Sequence, residues 1–243
     1  MKKIIIANWK MQLSFKDSLI LAKELKRKIK KSEKDIVICP GFLSLASIGK
    51  ILNGDGIFLG AQNCAIKNRG ALTGEVSPAA LEELGVKYVI IGHSERRLIL
   101  QEDADLINAK IKAALATNLI PIVCVGETLN ERELGQTKKV LLTQVNNALR
   151  DIKIKNSSSL IIAYEPLWAI GTGEAIVPLE DEVMQLFLKN EVAKILSKKV
   201  RLVYGSSVNT DNASEFLKQK NIDGLLIGGA SLSVLEFSNI VKI

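Results

Sequence analysis

Short runs of apolar, mostly β-branched residues recur along the chain, and each run is nearly continuous in hydrophobicity rather than alternating with polar residues. Such runs are typical of strands that are covered on both faces, as in parallel sheets. Eight segments fit this description: residues 4–6, 36–38, 57–59, 88–91, 120–123, 160–162, 200–203 and 225–227.

Helical patterns lie between these runs. Behind Ser14, which with Asp17 predicts a helix start, apolar residues recur every three or four positions: Phe15, Leu19, Ala22, Leu25 and Ile29. Pro78 and Pro178 stand where a first helical turn tolerates proline. The helix expected over residues 180–196 takes its apolar side from Met184, Phe187, Val192 and Ile195.

Eight β–α units in 243 residues, with no linker or shift in composition, predict one domain over residues 1–243. The pattern favours a (β/α)8 barrel, in which eight parallel strands are ringed by helices. A doubly wound open sheet is the structural alternative. In a barrel of this kind the reactive residues follow the carboxyl ends of the strands.

Composition narrows the class of protein only a little. The net charge of +7 suits an anionic partner, which could be a nucleic acid, a lipid surface or a small phosphorylated compound. Three widely spaced cysteines without a CxxC motif favour a reducing compartment. The apolar start is too short for a secretion signal and no stretch is long enough to span a membrane, so we expect a soluble, cytoplasmic protein.

Polar residues stand directly after several of the predicted strands. Glu165, after the sixth strand, has apolar neighbours that would desolvate its carboxylate and make it a better general base, although a surface carboxylate is the plainer alternative. His93 is the only histidine, which excludes a histidine-rich metal site. Placed before a helix whose predicted N-cap is Ser94, it would be a neutral hydrogen-bond donor. Lys10 could bind an anion, form a Schiff base or simply be solvated.

A phosphate-binding site is predicted at the ends of the last two strands. Gly228 and Gly229, before a helix start expected at Ser231, can present bare main-chain N–H groups to a phosphate. Ser207 on the preceding loop can add a hydroxyl. The Gly171–Gly173 stretch does not have the spacing of a dinucleotide-binding fingerprint.

Six motifs, in the same order, make the whole chain resemble triosephosphate isomerases: ANWKM, GALTGEVSP, GHSERR, CVGETLNERELG, AYEPLWAIGTG and GLLIGGASL. The resemblance implies interconversion of dihydroxyacetone phosphate and glyceraldehyde 3-phosphate, a step of glycolysis and gluconeogenesis, without cofactor or metal. It implies Glu165 as base, His93 as electrophile and Lys10 with Asn8 as stabilisers of the enediolate. Glu95 would support Lys10.

The resemblance also implies a lid and a partner. The segment after Glu165 would close over the substrate and donate the N–H of Gly171 to its phosphate, completing the site of Ser207, Gly228 and Gly229. A homodimer is implied, with Thr73, Gln62 and Arg96 at the interface. Two positions depart from the family pattern, since Ser206 stands where glycine is usual and Glu174 where lysine is usual.

Other functions stay open at this point. Another phosphate-binding barrel isomerase would share the site after strands 7 and 8 but would not need this lid sequence. A Schiff-base aldolase would use Lys10. Nucleic-acid binding fits the positive charge, but no basic helix or aromatic strand motif supports it, and we expect neither a nucleic acid nor a membrane as partner. The last alternative is a barrel without catalytic activity.

Overall fold

A computed structural model describes residues 2–29, 32–54, 56–169 and 175–243 of the chain. Within them, parallel strands pair in sequence order and the last pairs with the first, so that the sheet closes into a barrel. The strands are β1 Ile4–Asn8, β2 Asp35–Cys39, β3 Ile57–Ala61, β4 Val86–Ile91, β5 Ile120–Val125, β6 Ile161–Tyr164, β7 Arg201–Tyr204 and β8 Gly224–Ile227. The predicted fold class is confirmed, and each apolar run overlaps a strand.

Helices surround the barrel and connect its strands. They are α1 Phe15–Lys28, α2 Phe42–Leu52, α3 Pro78–Glu83, α4 Ser94–Leu98, α5 Ala104–Ala116, α6 Leu129–Glu133, α7 Thr137–Ala148, α8 Pro178–Leu196, α9 Ala213–Lys218 and α10 Val234–Lys242. Short 3₁₀ turns follow β6 at Leu167–Ala169 and β8 at Gly229–Leu232. Ser14 caps α1 by accepting a hydrogen bond from the Asp17 N–H, as the sequence predicts.

The core has two layers because successive side chains of a strand point to opposite faces. Ile4 and Ile6 of β1 belong to a cluster inside the barrel, whereas Ile5 and Ala7 pack in the larger cluster between strands and helices. All four side chains are fully buried. Burial on both faces explains why the strands read as continuous apolar runs.

Helix α8 differs from its prediction. Its buried residues are Asp181, Gln185, Leu188, Val192 and Leu196. Met184, Phe187 and Ile195, predicted as its apolar side, are only partly buried at the edge of the core. Val192 is fully buried as predicted, but two of the other buried positions are polar, and for that reason the hydrophobic pattern found only part of the buried face.

In the described part of the chain, no helix is both long and apolar enough to cross a lipid bilayer.

Candidate active site

The ends of the strands meet around one cavity of about 280 Å³. Residues from β1, β4, β6, β7 and β8 or the loops after them line it: Asn8, Lys10, His93, Glu165, Gly205, Ser206, Ser207, Gly228 and Gly229 among others. The structure therefore brings these residues together at one rim, as predicted, apart from Gly171, which lies outside the described residues.

Glu165 is held directly beyond the end of β6. Its main-chain N–H donates to the Val125 carbonyl at 2.8 Å, which extends the pairing of β5 and β6 by one residue. The side chain is only 2% exposed. A Cβ atom on Gly205 would lie 3.2 Å from Glu165 Oε1, so the absence of a side chain there makes room for the carboxylate. Oε2 has no hydrogen-bond partner among the described residues and is free to take a proton.

His93 is itself the N-cap of α4, and the expectation that Ser94 is the cap is wrong. His93 Nδ1 accepts a hydrogen bond from the Glu95 main-chain N–H at 3.3 Å, while Ser94 is the first helical residue. A nitrogen that accepts from N–H carries no proton, so the neutral imidazole has its hydrogen on Nε2. His93 Nε2 lies 3.7 Å from Glu165 Oε1. This geometry fits a neutral hydrogen-bond donor facing the Glu165 carboxylate.

Lys10 is presented by a strained turn after β1. Its φ of 51° lies in the left-handed region, which costs a non-glycine residue on the order of 1–3 kcal/mol. Two side chains hold the turn, since Asn8 Oδ1 accepts from the Lys10 N–H at 3.1 Å and Gln62 Nε2 donates to the Lys10 carbonyl at 2.7 Å. Lys10 Nζ is 2.6 Å from Glu95 Oε1. Glu95 thus lies beside Lys10, as predicted.

The loops after β7 and β8 form the far side of the cavity. Gly228 precedes the 3₁₀ turn, and Ser231 donates back to the Gly228 carbonyl through both its N–H, at 2.9 Å, and its hydroxyl, at 2.6 Å. The helix start expected at Ser231 is wrong, because the 3₁₀ turn begins at Gly229 and α10 begins at Val234. A Cβ atom on Gly228 would lie 4.0 Å from Lys10 Nζ, so the glycine loop and the cation are neighbours.

The loop after β7 contacts the segment that follows Glu165. Ser207 donates its hydroxyl to the Ala169 carbonyl at 2.6 Å, and Tyr204 accepts from the Ile176 N–H at 3.2 Å. The left-handed backbone falls on Ser207, with φ of 43°, and not on Ser206. Ser206, which stands where glycine is usual in the family, therefore does not need the positive φ that glycine adopts freely. Glu174, the other departure, lies outside the described residues.

The sequence motifs predict no role for Glu127, although this residue lies within the motif CVGETLNERELG. Its side chain is fully buried beyond β5, and Oε1 accepts from Tyr164 Oη and from Trp168 Nε1, both at 3.1 Å. Arg132 lies over the Trp168 ring, 4.6 Å from its centroid. Glu127 thereby fixes residues on both sides of Glu165 along the chain. A glutamate two residues beyond the apolar strand β5 was the available signal.

The residues predicted at an interface lie together near the Lys10 turn or on an exposed loop. Gln62 bonds to the Lys10 carbonyl as described, and Arg96 Nε is 2.6 Å from Glu102 Oε1. Glu102 also pairs with buried Lys110, which donates to Asn63 Oδ1 at 2.9 Å. Thr73 is exposed in the turn that precedes α3.

Within the described ranges, no group of three or more histidine, cysteine or acidic side chains is placed to hold a metal ion. The groups that do converge are a buried carboxylate, a neutral imidazole, a lysine and a glycine loop. Main-chain N–H groups and a lysine suit a small anion, and a buried carboxylate facing an imidazole suits proton transfer. The fold and the site are those expected of an enzyme of the (β/α)8 class that acts on a small anion.

Comparison with known proteins agrees with this class of enzyme and identifies a family within it. The model of the family described as triosephosphate isomerase matches residues 3–243. Triosephosphate isomerase of Caldanaerobacter subterraneus subsp. tengcongensis is 42% identical, over 99% of each chain. That of Clostridium tetani is 45% identical, over 99% of this chain and 96% of its own. A crystal structure of the Bartonella henselae enzyme has a TM-score of 0.91 at 34% identity, covering 100% of this chain and 98% of that one.

The chain therefore belongs to the triosephosphate isomerase family, a family of aldose–ketose isomerases.

Proposed function

We propose that this chain interconverts dihydroxyacetone phosphate and D-glyceraldehyde 3-phosphate with Glu165 as the general base. The observation that carries the proposal is the pairing of Glu165 and His93 across the cavity, with Oε1 and Nε2 separated by 3.7 Å. Glu165 would remove the proton from the carbon beside the carbonyl, and the resulting carboxylic acid would return it to the neighbouring carbon. General base catalysis of this kind contributes about 10²–10⁴-fold.

His93 and Lys10 would stabilise the enediolate oxygens. The Nε2–H of His93 donates to the carbonyl oxygen, and the bond strengthens as negative charge develops there. Lys10 Nζ adds a positive charge beside the same region, and Asn8 fixes the turn that carries it. Removing one such preorganised donor typically lowers kcat about 10²–10³-fold. The donor is already oriented towards the developing charge, whereas water in its place would have to reorganise at greater cost.

The phosphate of the substrate would lie against the N–H groups of Gly228 and Gly229 and the hydroxyl of Ser207, which would turn from the Ala169 carbonyl to donate to it. The position of Gly228 beside Lys10 supports this placement, since the cation neutralises part of the dianion's charge. The contribution of Gly171 and the lid role of its segment stay predictions. None of these groups needs a metal or an organic cofactor to act.

Isomerisation of D-glyceraldehyde 3-phosphate, followed through a coupled dehydrogenase, tests the proposal. We expect Glu165→Gln to lower kcat by about 10³-fold, because the amide keeps the shape but cannot accept the proton. Glu215→Gln, on the exposed face of α9, is the matched control and should keep full activity. In D2O the product should gain solvent deuterium on carbon, because the base exchanges its proton. An active Glu165→Gln variant would refute Glu165 as the base, whereas full retention of the original hydrogen would show only that the carboxylic acid returns its proton before exchange with solvent.

We also propose that the working form is a homodimer. Gln62 and Arg96 line a groove of about 480 Å³ beside the turn after β1. Large apolar side chains that are exposed in the single chain line the same groove: Met11, Phe15, Phe42, Leu43 and Leu100. A contiguous exposed apolar surface of this kind is typical of a protein–protein interface. Thr73, on its exposed loop, would reach across to the second copy.

We also propose that the protein is located in the cytoplasm. Cys39, Cys64 and Cys124 are buried and unpaired, which suits a reducing compartment. Burial raises the pKa of each thiol, that of Cys64 to about 12, and keeps it unreactive. Cell fractionation should find the protein in the cytosolic fraction, and recovery with a membrane or secreted fraction would contradict this.

A further inference from the structure

Gly126, the first residue after β5, lies in close contact with the main chain of the base. A Cβ atom on this residue would lie 1.8 Å from the Glu165 carbonyl oxygen and 2.9 Å from Leu167 Cδ1. No real side chain fits at the first distance, so only glycine allows the two chains to approach this closely. A movement of Gly126 by an ångström must therefore be followed by Glu165 or must leave it unsupported.

The two peptide groups that flank Gly126 are fixed by one side chain. Gln144 Oε1 accepts from the Gly126 N–H at 2.9 Å, and Gln144 Nε2 donates to the Gly126 carbonyl at 2.9 Å. The pairing of β5 and β6 ends where the Val125 carbonyl accepts from the Glu165 N–H, so the Gly126 N–H and carbonyl have no partner on β6. Gln144 holds both of these groups with a two-point clamp.

Gln144 is carried by a rigid element. It lies on α7, whose neighbouring residues Leu141 and Val145 are fully buried in the core. From α7 the clamp reaches Gly126, and the next residue, Glu127, accepts the Leu167 N–H through its carbonyl at 2.9 Å. The main chain around Glu165 is thus held by contacts that lead back to α7, a helix outside the barrel.

We infer that Gln144 is a positioning residue for the catalytic base. It touches no substrate, and its effect passes through the main chain of Gly126 to that of Glu165. The inference rests on the proposed function of Glu165. Because the reacting atoms must be held within a fraction of an ångström, a misplacement of about 1 Å lowers the rate by about 10²-fold.

Steady-state kinetics of Gln144→Met test the inference, since methionine has the length of glutamine but makes neither hydrogen bond. We expect kcat to fall about 10–100-fold. KM and the inhibition constant of inorganic phosphate should change less than about threefold, because the glycine loop after β8 is not disturbed.

Asn108→Leu is the matched control. Asn108 also makes two hydrogen bonds from one amide to main chain next to α7, donating to the Ala148 and Arg150 carbonyls at 2.9 Å each. Its loss should lower the thermal midpoint about as much as Gln144→Met does but leave kcat within twofold. Equal losses of kcat in the two variants, or an unchanged kcat in Gln144→Met, would overturn the inference.

A second variant covers the case in which Gln144→Met fails to fold. In Gln144→Glu the protonated carboxyl can accept from the Gly126 N–H and donate to its carbonyl, as the amide does, whereas the carboxylate can only accept. The ratio of kcat in Gln144→Glu to kcat in the parent should therefore rise as the pH falls. A ratio independent of pH would overturn the inference. If the parent itself shows no turnover that depends on Glu165, the proposed function fails instead, so the two failures are distinguishable.

Discussion

Asp181 carries a carboxyl group that is completely buried in the first turn of α8. Burial raises its pKa well above the ordinary value. A hydrogen bond from Gln185 Nε2, 3.2 Å from Oδ1, opposes the shift, and the charge of Glu182 adds to it. The side-chain oxygen of Gln185 has no hydrogen-bond partner among the described residues. Asp181 in its protonated form is the other member of this buried pair. The folded protein therefore favours the neutral acid.

The raised pKa makes stability depend on pH with a definite sign. Above about pH 4 the unfolded chain has lost the Asp181 proton while the folded protein still holds it. The unfolded state then binds fewer protons, so the free energy of unfolding falls as pH rises, up to the raised pKa of the folded state.

Asp181→Asn should remove this dependence, because the amide stays neutral and can donate towards Gln185. We expect a gain on the order of 1 kcal/mol at pH 8 and little change at pH 4. Thermal unfolding of the parent and the variant between pH 4 and 8 measures it. Asp211→Asn, on an exposed loop, is the control and should run parallel to the parent. A variant curve parallel to the parent's would show that Asp181 is ionised in the folded state.

At the scale of elements, the closure of the barrel depends on a glycine in β8. A Cβ atom on Gly224 would lie 2.0 Å from the Ile4 carbonyl oxygen and 2.7 Å from Ile4 Cγ2, on the strand that closes the ring. The oxygen belongs to the main chain of β1 and cannot rotate away as a flexible side chain could. Strands β8 and β1 would have to separate.

Gly224→Ala should therefore lower the free energy of unfolding by about 3 kcal/mol, at the upper end of overpacking changes. Gly41→Ala is the matched control, because its φ is −60° and a Cβ there would meet nothing within 4 Å. Urea unfolding of both variants measures the difference. If Gly224→Ala unfolds at the same urea concentration as Gly41→Ala, the close approach of β8 and β1 does not limit the side chain at this position.

The sequence predicts a feature of the structure when that feature leaves a local pattern along the chain, and it fails where the contacts join distant positions. Strands such as β4 were predicted because burial on both faces leaves a continuous apolar run, and Glu165 and His93 because they stand at strand ends. The cap of α4 was misplaced because a histidine nitrogen can replace the usual serine hydroxyl. Gln144 left no signal at all, since its bonds cross 18 positions to main-chain atoms that carry no sequence pattern.

At the scale of the whole molecule, an apolar surface and the lysine proposed to act in catalysis share one loop. Met11, next to Lys10, is 97% exposed, and Leu43 across the groove is 91% exposed. The strained turn of Lys10 is held from within the chain by Gln62 and Asn8. Covering Met11 with a second copy would restrict the turn further, so assembly and activity should be coupled.

Leu43→Glu tests this coupling, because it would place a carboxylate among the apolar side chains of the groove, where a second copy would have to desolvate it. We expect the parent to sediment as a dimer at about 10 μM and the variant as a monomer with kcat lowered at least about tenfold. Val183→Glu, on the exposed side of α8, places the same charge away from the groove and should leave both properties unchanged. A monomeric parent with full activity would show that the groove has another role, whereas a monomeric, fully active Leu43→Glu variant would show that the Lys10 turn holds its geometry without the partner.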